Sequence, residues 1–301
     1  MFQNILSRLK GIKNLNIIEN EPMSRHTTFK IGGPARLFVE ASDIKALKDT
    51  LIILANADIC PFILGNGSNL LVSDDGFNGV ILKNSCKNIT VSRNTVFAES
   101  GALLSTVANT ALRSSLTGLE FAHGIPGTVG GALVMNAGAY GGEISQVLKR
   151  ATYFYNGETF TISGNGHNFG YRESIYKKHP EFTILSAEFE LTGGDSEKIS
   201  ERMHDLACRR REKQPLEFPS AGSTFKRPEG HFAGALIEES KLKGYSIGGA
   251  EVSEKHAGFI INRGNATAED VRRLIDHIKE TVYRDHGIML ECEICFIGGG
   301  N

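Results

Sequence analysis

Apolar and polar positions follow two periods along this 301-residue chain, and each change of period marks an element. Phe2, Ile5, Leu6 and Leu9 recur at helical spacing and predict a short amphipathic opening helix. Ala35–Glu40 reads as a strand, and Ser42 is placed to cap a helix carrying Ile44, Leu47, Leu51 and Leu54 on one face. Pro61–Leu64 reads as the next strand, so residues 1–82 are expected to form a small α/β lobe. Strands are predicted at Thr95–Glu99, Arg150–Tyr155, Thr159–Ile162 and Phe182–Leu191, with a helix over Ala102–Ser114. These give a second, α+β lobe over 83–195. A third part, 196–301, opens with a charged helix from a Ser196 cap to Gln214 and holds a short helix near Ala233–Ser240. A longer helix from Ala268 to Arg284 starts at a Thr267-x-x-Asp270 cap, and Val271, Leu274, Ile275, Ile278 and Val282 make its core stripe. Ile288–Phe296 alternates strictly and predicts a closing strand. Ile288, Leu290, Cys292, Ile294 and Phe296 would share one face, and Met289, Glu291, Glu293 and Cys295 the other.

Two segments fit neither period. Gly65-Asn66-Gly67-Ser68-Asn69 lies between apolar Phe62–Leu64 and Leu70–Val72, and the run from His123 to Gly141 is dense in glycine, with too few apolar residues for an ordinary helix or strand. Glycine costs backbone entropy, so such density implies a backbone that must approach something closely. Two such loops joined to strand-like runs suggest a dinucleotide held between two lobes; the plainer reading is a pair of tight turns. Neither loop is a familiar phosphate binder. Gly65-x-Gly67 lacks the third glycine and following helix of the dinucleotide fingerprint, and no Gly-x-x-x-x-Gly-Lys-Ser/Thr occurs.

Charge and cysteine content narrow the function classes. A formal net charge of −1 gives no electrostatic reason for nucleic-acid or membrane binding. No apolar run approaches the roughly 18 residues of a membrane span. The Met1–Leu6 start lacks the regions of a signal peptide, so a cytoplasmic protein is expected. The five cysteines are scattered and fit reduced thiols. Cys292 and Cys295, three apart on a strand, would face opposite ways; His204 and Cys208 share a helix face, but two ligands make no metal site. No metal is expected. The run Arg209-Arg210-Arg211-Glu212-Lys213 reads as a solvated helix end or a face toward a diphosphate.

The segments Gly65–Leu70, Gly124–Gly131 and Asn136–Gly141 resemble the flavin-binding signatures of the UDP-N-acetylenolpyruvoylglucosamine reductase family. Gly170-Tyr171-Arg172-Glu173-Ser174, Ala221-Gly222-Ser223-Thr224-Phe225-Lys226 and Leu290-Glu291-Cys292-Glu293 match it further, in the expected order over most of the chain. The resemblance implies an α+β architecture: a two-lobed FAD-binding module of the PCMH-like flavoprotein superfamily, followed by an α+β substrate domain. It implies FAD bound non-covalently by Gly65, Asn66, Gly67, Ser68, Asn69, Gly124, Ile125, Pro126, Gly127, Thr128, Gly130, Gly131, Asn136, Ala137, Gly138 and Tyr140, with backbone amides of both loops taking the pyrophosphate. His123 is the nearest residue for a covalent link, but the Gly124-Ile125-Pro126 that follows suits backbone packing better. NADPH is implied as co-substrate and a UDP-sugar as substrate, with Tyr171, Lys226, Arg227 and His256 as substrate contacts. A monomer is expected. The short connection from Arg172 to Ser223 resembles the family's shorter subclass, which lacks a tyrosine-bearing insertion.

By the same resemblance Arg172, Ser223 and Glu293 are catalytic. Hydride from flavin N5 would add to the enolpyruvyl double bond, and charge would gather on the conjugated carboxylate. An arginine fork suits that carboxylate, a protonated glutamic acid suits the developing charge, and a serine hydroxyl, helped by Lys226, could protonate the remaining carbon. Taken singly, Arg172 reads as an ion-pair partner of Glu173 and Ser223 as a turn residue. Alternation alone leaves Glu291 and Glu293 open; only the resemblance selects Glu293. The alternatives are an oxidase or dehydrogenase of the wider flavoprotein superfamily and a binding protein that keeps the fold without turnover.

Overall fold

The predicted opening helix is Phe2–Leu9 in the computed structural model, which describes residues 2–299. Two compact units make up the chain, each drawn from separate segments. The first runs to Ile18, resumes over Leu37–Asn66 and again over Gly79–Arg209; the second takes Glu19–Arg36, Gly67–Asn78 and everything from Arg210. A boundary at Leu82 would fall inside the strand Phe77–Asn84.

In the first unit the strand predicted at Ala35–Glu40 runs over Pro34–Ala41, and the helix after it over Ile44–Ala55. Its cap is Asp43 rather than Ser42: the Asp43 carboxylate accepts from the Ala46 amide at 2.7 Å, while the Ser42 hydroxyl donates to the Asn14 carbonyl. That amide bond chiefly holds the Asp43 carboxyl below its ordinary range. Phe62–Leu64 pairs in parallel with Phe77–Asn84, where Val80, Ile81 and Leu82 are buried in succession, as in a strand covered on both faces. Leu47 and Leu54 of the helix pack with Leu37, Val39, Val80 and Leu82. A five-stranded antiparallel sheet follows, in the order Glu158–Ser163, Leu148–Tyr155, Thr183–Glu190, Thr95–Glu99, Ile89–Ser92. All four strands expected in this region are present. Val96, Ala98, Ala151, Ala187 and Phe189 form its buried face, packed with Leu104 and Val107 of the helix Leu104–Arg113.

The glycine-rich run is not free of regular structure. Val129–Val134 is a short helix capped by Thr128, whose hydroxyl accepts from the Gly131 amide at 3.3 Å, and Gly138–Ala139 pairs with Gly142–Glu143 in a small hairpin. Tertiary packing of Val129, Ala132 and Leu133 in the core offsets the low helix propensity of its glycines.

The helix Ser196–Lys213 starts at Asp195, whose carboxylate accepts from the Glu197 amide; Ser196 is already its first residue. In the second unit a four-stranded antiparallel sheet has the order Ser220–Ser223, Phe259–Asn262, Ala250–Val252, Ser246–Ile247. The helices Ala233–Glu239 and Ala268–His286 pack with it. Thr267 and Asp270 form the expected reciprocal cap, and Gly287 ends the helix with φ +70°. Phe29, Ile31 and Leu71 share this core with Val271, Leu274 and Ile278. The joins between segments are polar: Thr28 Oγ1 donates to the Ser220 carbonyl at 2.7 Å, Asn262 Nδ2 to the Phe29 carbonyl at 3.1 Å, and the Ala268 amide to Asp74 at 2.8 Å.

The alternation over Ile288–Phe296 does not make one strand. Leu290, Cys292 and Ile294 do face the core, but only Cys295–Ile297 is a strand, parallel to Leu70–Val72, and Phe296 is 41% exposed. The preceding residues bond singly to the Phe225 segment instead.

Candidate active site

Within the first unit, the sequence brings Gly65 and Asn66 against the second glycine segment. Asn66 Nδ2 donates to the Pro126 carbonyl at 2.6 Å, and a Cβ on Gly65 would lie 2.5 Å from Thr128 Oγ1. Asn66, Pro126 and Gly131 are exposed at this junction. The remaining residues of the first loop, Gly67, Ser68 and Asn69, belong to the second unit. There Gly67 has a reason internal to the protein: φ is +62°, and a Cβ would come within 2.1 Å of the His26 carbonyl oxygen.

Several amides expected to meet a phosphate are engaged elsewhere. Ile125 donates to the Ala122 carbonyl, Val129 to Ala102, Gly130 to Ser100 and Gly131 to Thr128 Oγ1. Ala137 likewise donates to Ala132. The Asn136 side chain is buried and both its ends are engaged, Nδ2 on the Gly170 carbonyl at 3.1 Å and Oδ1 on the Ser145 amide at 3.0 Å. Gly138 lies close to the hairpin partner, a Cβ there meeting the Gly142 carbonyl oxygen at 2.8 Å. Tyr140 is 41% exposed. His123 Nδ1 is enclosed and has no hydrogen-bond partner.

Asn136 thereby anchors the turn that carries Arg172. Gly170 and Glu173 exchange both backbone bonds, at 3.1 and 3.2 Å, leaving Tyr171 and Arg172 at the tip. Arg172 is in the left-handed region at φ +57°, a conformation that costs a non-glycine residue on the order of 1 kcal/mol. Ser174 holds the turn from the other side, donating to the Val134 carbonyl at 2.7 Å. Glu173 pairs with Lys177 at 3.2 Å, and Lys177 Nζ also donates to the Arg172 carbonyl. The guanidinium carbon lies 5.1 Å from the centre of the exposed Tyr171 ring.

The second unit assembles Ser223, Lys226, Glu291 and Glu293 around one residue that sequence reasoning did not single out, Thr224. Its buried hydroxyl accepts from the Ile260 amide at 3.2 Å, its amide donates to Gly258, and its carbonyl accepts from the Glu293 amide at 2.8 Å. The Glu293 carbonyl also accepts from Asn69 Nδ2 at 3.1 Å, so backbone on both sides of the carboxylate is pinned. Ser223 is exposed and follows Gly222, which has φ +79° at a register shift in the strand. Glu291 and Glu293 are not equivalent. Glu291 is 70% exposed and pairs with Lys226 Nζ at 2.9 Å, whereas Glu293 is half-buried. Lys226, expected to assist Ser223, thus has its ammonium on Glu291. Arg227 packs over the exposed Phe232 ring at 4.4 Å. His256 Nδ1 accepts from the Gly258 amide at 3.1 Å, which leaves the proton of the neutral ring on Nε2; burial lowers its pKa.

Residues 35–162 match an FAD binding domain, and residues 214–297 match the C-terminal domain of UDP-N-acetylenolpyruvoylglucosamine reductase. A reductase of that name from Clostridium novyi is 50% identical over 298 residues, covering 98% of this chain and 97% of the relative. The chain belongs to the UDP-N-acetylenolpyruvoylglucosamine reductase family. It is an FAD-dependent oxidoreductase. The Caldanaerobacter subterraneus reductase is 49% identical over 99% of each chain. The crystal structure of the reductase from Thermus caldophilus superposes with TM-score 0.81 at 31% identity, covering 94% of this chain and 99% of that one. Both glycine segments lie in the FAD-domain match, and Ser223, Lys226, Arg227, His256 and Glu293 lie in the reductase C-terminal match; Arg172 falls between the two. Among the described residues, no group of three or more His, Cys, Asp or Glu is placed to hold a metal, and no helix is long and apolar enough to cross a membrane.

Proposed function

We propose that this chain reduces the enolpyruvyl group of UDP-N-acetylglucosamine enolpyruvate to give UDP-N-acetylmuramate for peptidoglycan synthesis, with NADPH as the source of reducing equivalents. The observation that carries the reading is the backbone bond from the Glu293 amide to the Thr224 carbonyl. It fixes a half-buried carboxyl next to the residue that follows Ser223, beside the glycine backbone of Gly67–Asn69. Gly65, Asn66, Gly124, Gly127, Gly138 and Tyr140 suit FAD because each is partly or fully exposed, and Thr128 shapes the loop by capping the helix after it. Of the second loop's amides, those of Ile125, Val129, Gly130 and Gly131 are engaged within the protein and do not take the pyrophosphate. Bound FAD supplies a hydride to the substrate double bond.

Arg172 offers its fork to the substrate carboxylate, and its turn is rigid enough to hold a left-handed backbone. Glu293 is the group that stabilises the charge developing on that carboxylate. The Ser223 hydroxyl gives its proton to the carbon left basic after reduction. Tyr171, Arg227 and His256, with its Nε2 proton, are the sugar-nucleotide contacts, and Lys226 is kept in place by Glu291. The domain reading that goes with this is two FAD-binding lobes, 1–82 and 83–195, then a substrate domain, in a cytoplasmic monomer. Anaerobic NADPH should bleach the flavin of the purified protein, and the enolpyruvyl sugar nucleotide should restore it stoichiometrically. A flavin that NADPH reduces but the substrate cannot reoxidise sinks the reading. Ser223→Ala should leave bleaching nearly normal and slow reoxidation sharply; loss of bleaching with flavin retained would remove Ser223 as the proton donor. Acid precipitation should release the flavin into the supernatant, and colour in the pellet would refute non-covalent binding.

A further inference from the structure

The flavin chemistry leaves one nucleophile and base pair unused, on the helix Ser196–Lys213. His204 and Cys208 are one turn apart, and Cys208 Sγ lies 3.3 Å from His204 Nε2. The helix buries Ile199, Met203 and Leu206, while His204 is exposed and Cys208 half-exposed. Asp205, which follows His204 on the helix, is held by Arg202 at 3.1 Å and Arg209 at 3.0 Å. The other thiols differ. Cys86 is buried, and burial pushes its thiol up to about 12. Cys292 is half-buried and also raised by burial. Cys60 and Cys295 are exposed, so access alone would make those two the reactive cysteines.

We infer that Cys208 is a thiol–disulfide exchange site for low-molecular-weight disulfides, with His204 as the base that takes its proton. The Sγ proton passes to Nε2, and the thiolate attacks one sulfur of the small disulfide. A protein–small-molecule S–S bond forms as the original S–S bond breaks, and the departing thiolate takes the proton back from the imidazolium. One protein thiol and one small disulfide become one mixed disulfide and one small thiol, with no other oxidant. The exchange is independent of hydride transfer.

The test uses FAD-loaded full-length protein with oxidised glutathione, quenched by acid over time, with occupancy of each cysteine read by peptide mass spectrometry. Cys208 should acquire glutathione first, about five-fold or more ahead of Cys60 and Cys295. His204→Gln should slow Cys208 about five-fold or more and leave the rates at Cys60 and Cys295 unchanged, which makes them internal controls for folding. His204→Asn, shorter and unable to reach the sulfur as a base, should do the same. If Cys60 or Cys295 reacts faster in the unmodified protein, or if both His204 variants leave Cys208 at its original rate, the proposal is overturned.

Discussion

The glycine-rich stretch of the first unit and the Leu290–Ile297 stretch of the second solve opposite problems. The first works by absence. At Gly65 and Gly138 an added methyl group meets Thr128 or Gly142, so the residue type itself records the constraint. The second works by presence. Glu293 and Ser223 are ordinary residues whose proposed roles depend on where Thr224 and Asn69 hold the backbone. A missing side chain is therefore visible in composition, whereas a placed one is visible only once its distant hydrogen-bond partner is known.

The sharpest way to break that contrast is to compare the two glutamates. Glu293→Gln should slow single-turnover reoxidation by the enolpyruvyl substrate by roughly 10²–10³, the size of one lost preorganised stabiliser. Glu291→Gln, which removes an exposed pairing with Lys226, should stay near the unmodified rate. The reverse order would mean the register is wrong by two residues, and equal losses would indicate a coupled pair. Gly65→Val tests the other half: its side chain would press on the Thr128 cap, and the ratio of flavin to protein absorbance should fall about ten-fold or more. Full retention of flavin would show that the absence of a side chain there is not required. Arg172→Gly separates strain from charge. It relieves the left-handed backbone and removes the fork, so the melting temperature should hold or rise while KM for the enolpyruvyl substrate increases about ten-fold. A fall in melting temperature would show that the turn depends on the arginine side chain.

The smallest effect concerns a purely structural contact. Asp270→Ala removes the acceptor of the Thr267 and Gly249 amides and should cost about 1 kcal/mol in urea unfolding at neutral pH. The Thr267 amide bond chiefly depresses the Asp270 pKa below 3.8. Its contribution is thus present above the ordinary carboxyl range and lost as pH falls through the folded-state value, so the two proteins should converge once acid has protonated the carboxyl in both states. A gap that persists there would assign the loss to packing instead.

Local signals were legible in the sequence and non-local ones were not. Thr267-x-x-Asp270 specifies its cap within four residues, and the helix Ala268–His286 follows it. At Ser42-Asp43 both side chains can cap, and what decides is Asn14, whose carbonyl takes the serine hydroxyl. The Ile288–Phe296 alternation reports burial correctly at Leu290, Cys292 and Ile294, yet burial on one side does not require a ladder, and the Phe225 segment bonds it residue by residue. The helix Val129–Val134 was hidden by its glycines, although Thr128 is a competent cap. The Arg172 turn could be matched by motif, but its dependence on Asn136 and Ser174 could not be read from spacing.

The interleaving of segments has a consequence for how the chain is made. Phe29, Ile31 and Leu71 emerge early in synthesis, yet their apolar partners, among them Val271, Leu274 and Ile278, emerge near the end. Until then these early residues carry unsatisfied apolar surface, and closure over such long sequence separations is slow. A chain stopped near Gly194 would leave these three residues uncovered and should aggregate, even though most of the first unit's residues are already present. Completion of the last helix, not of the glycine loops, therefore sets when the nascent protein should stop being vulnerable to proteases and to its own copies.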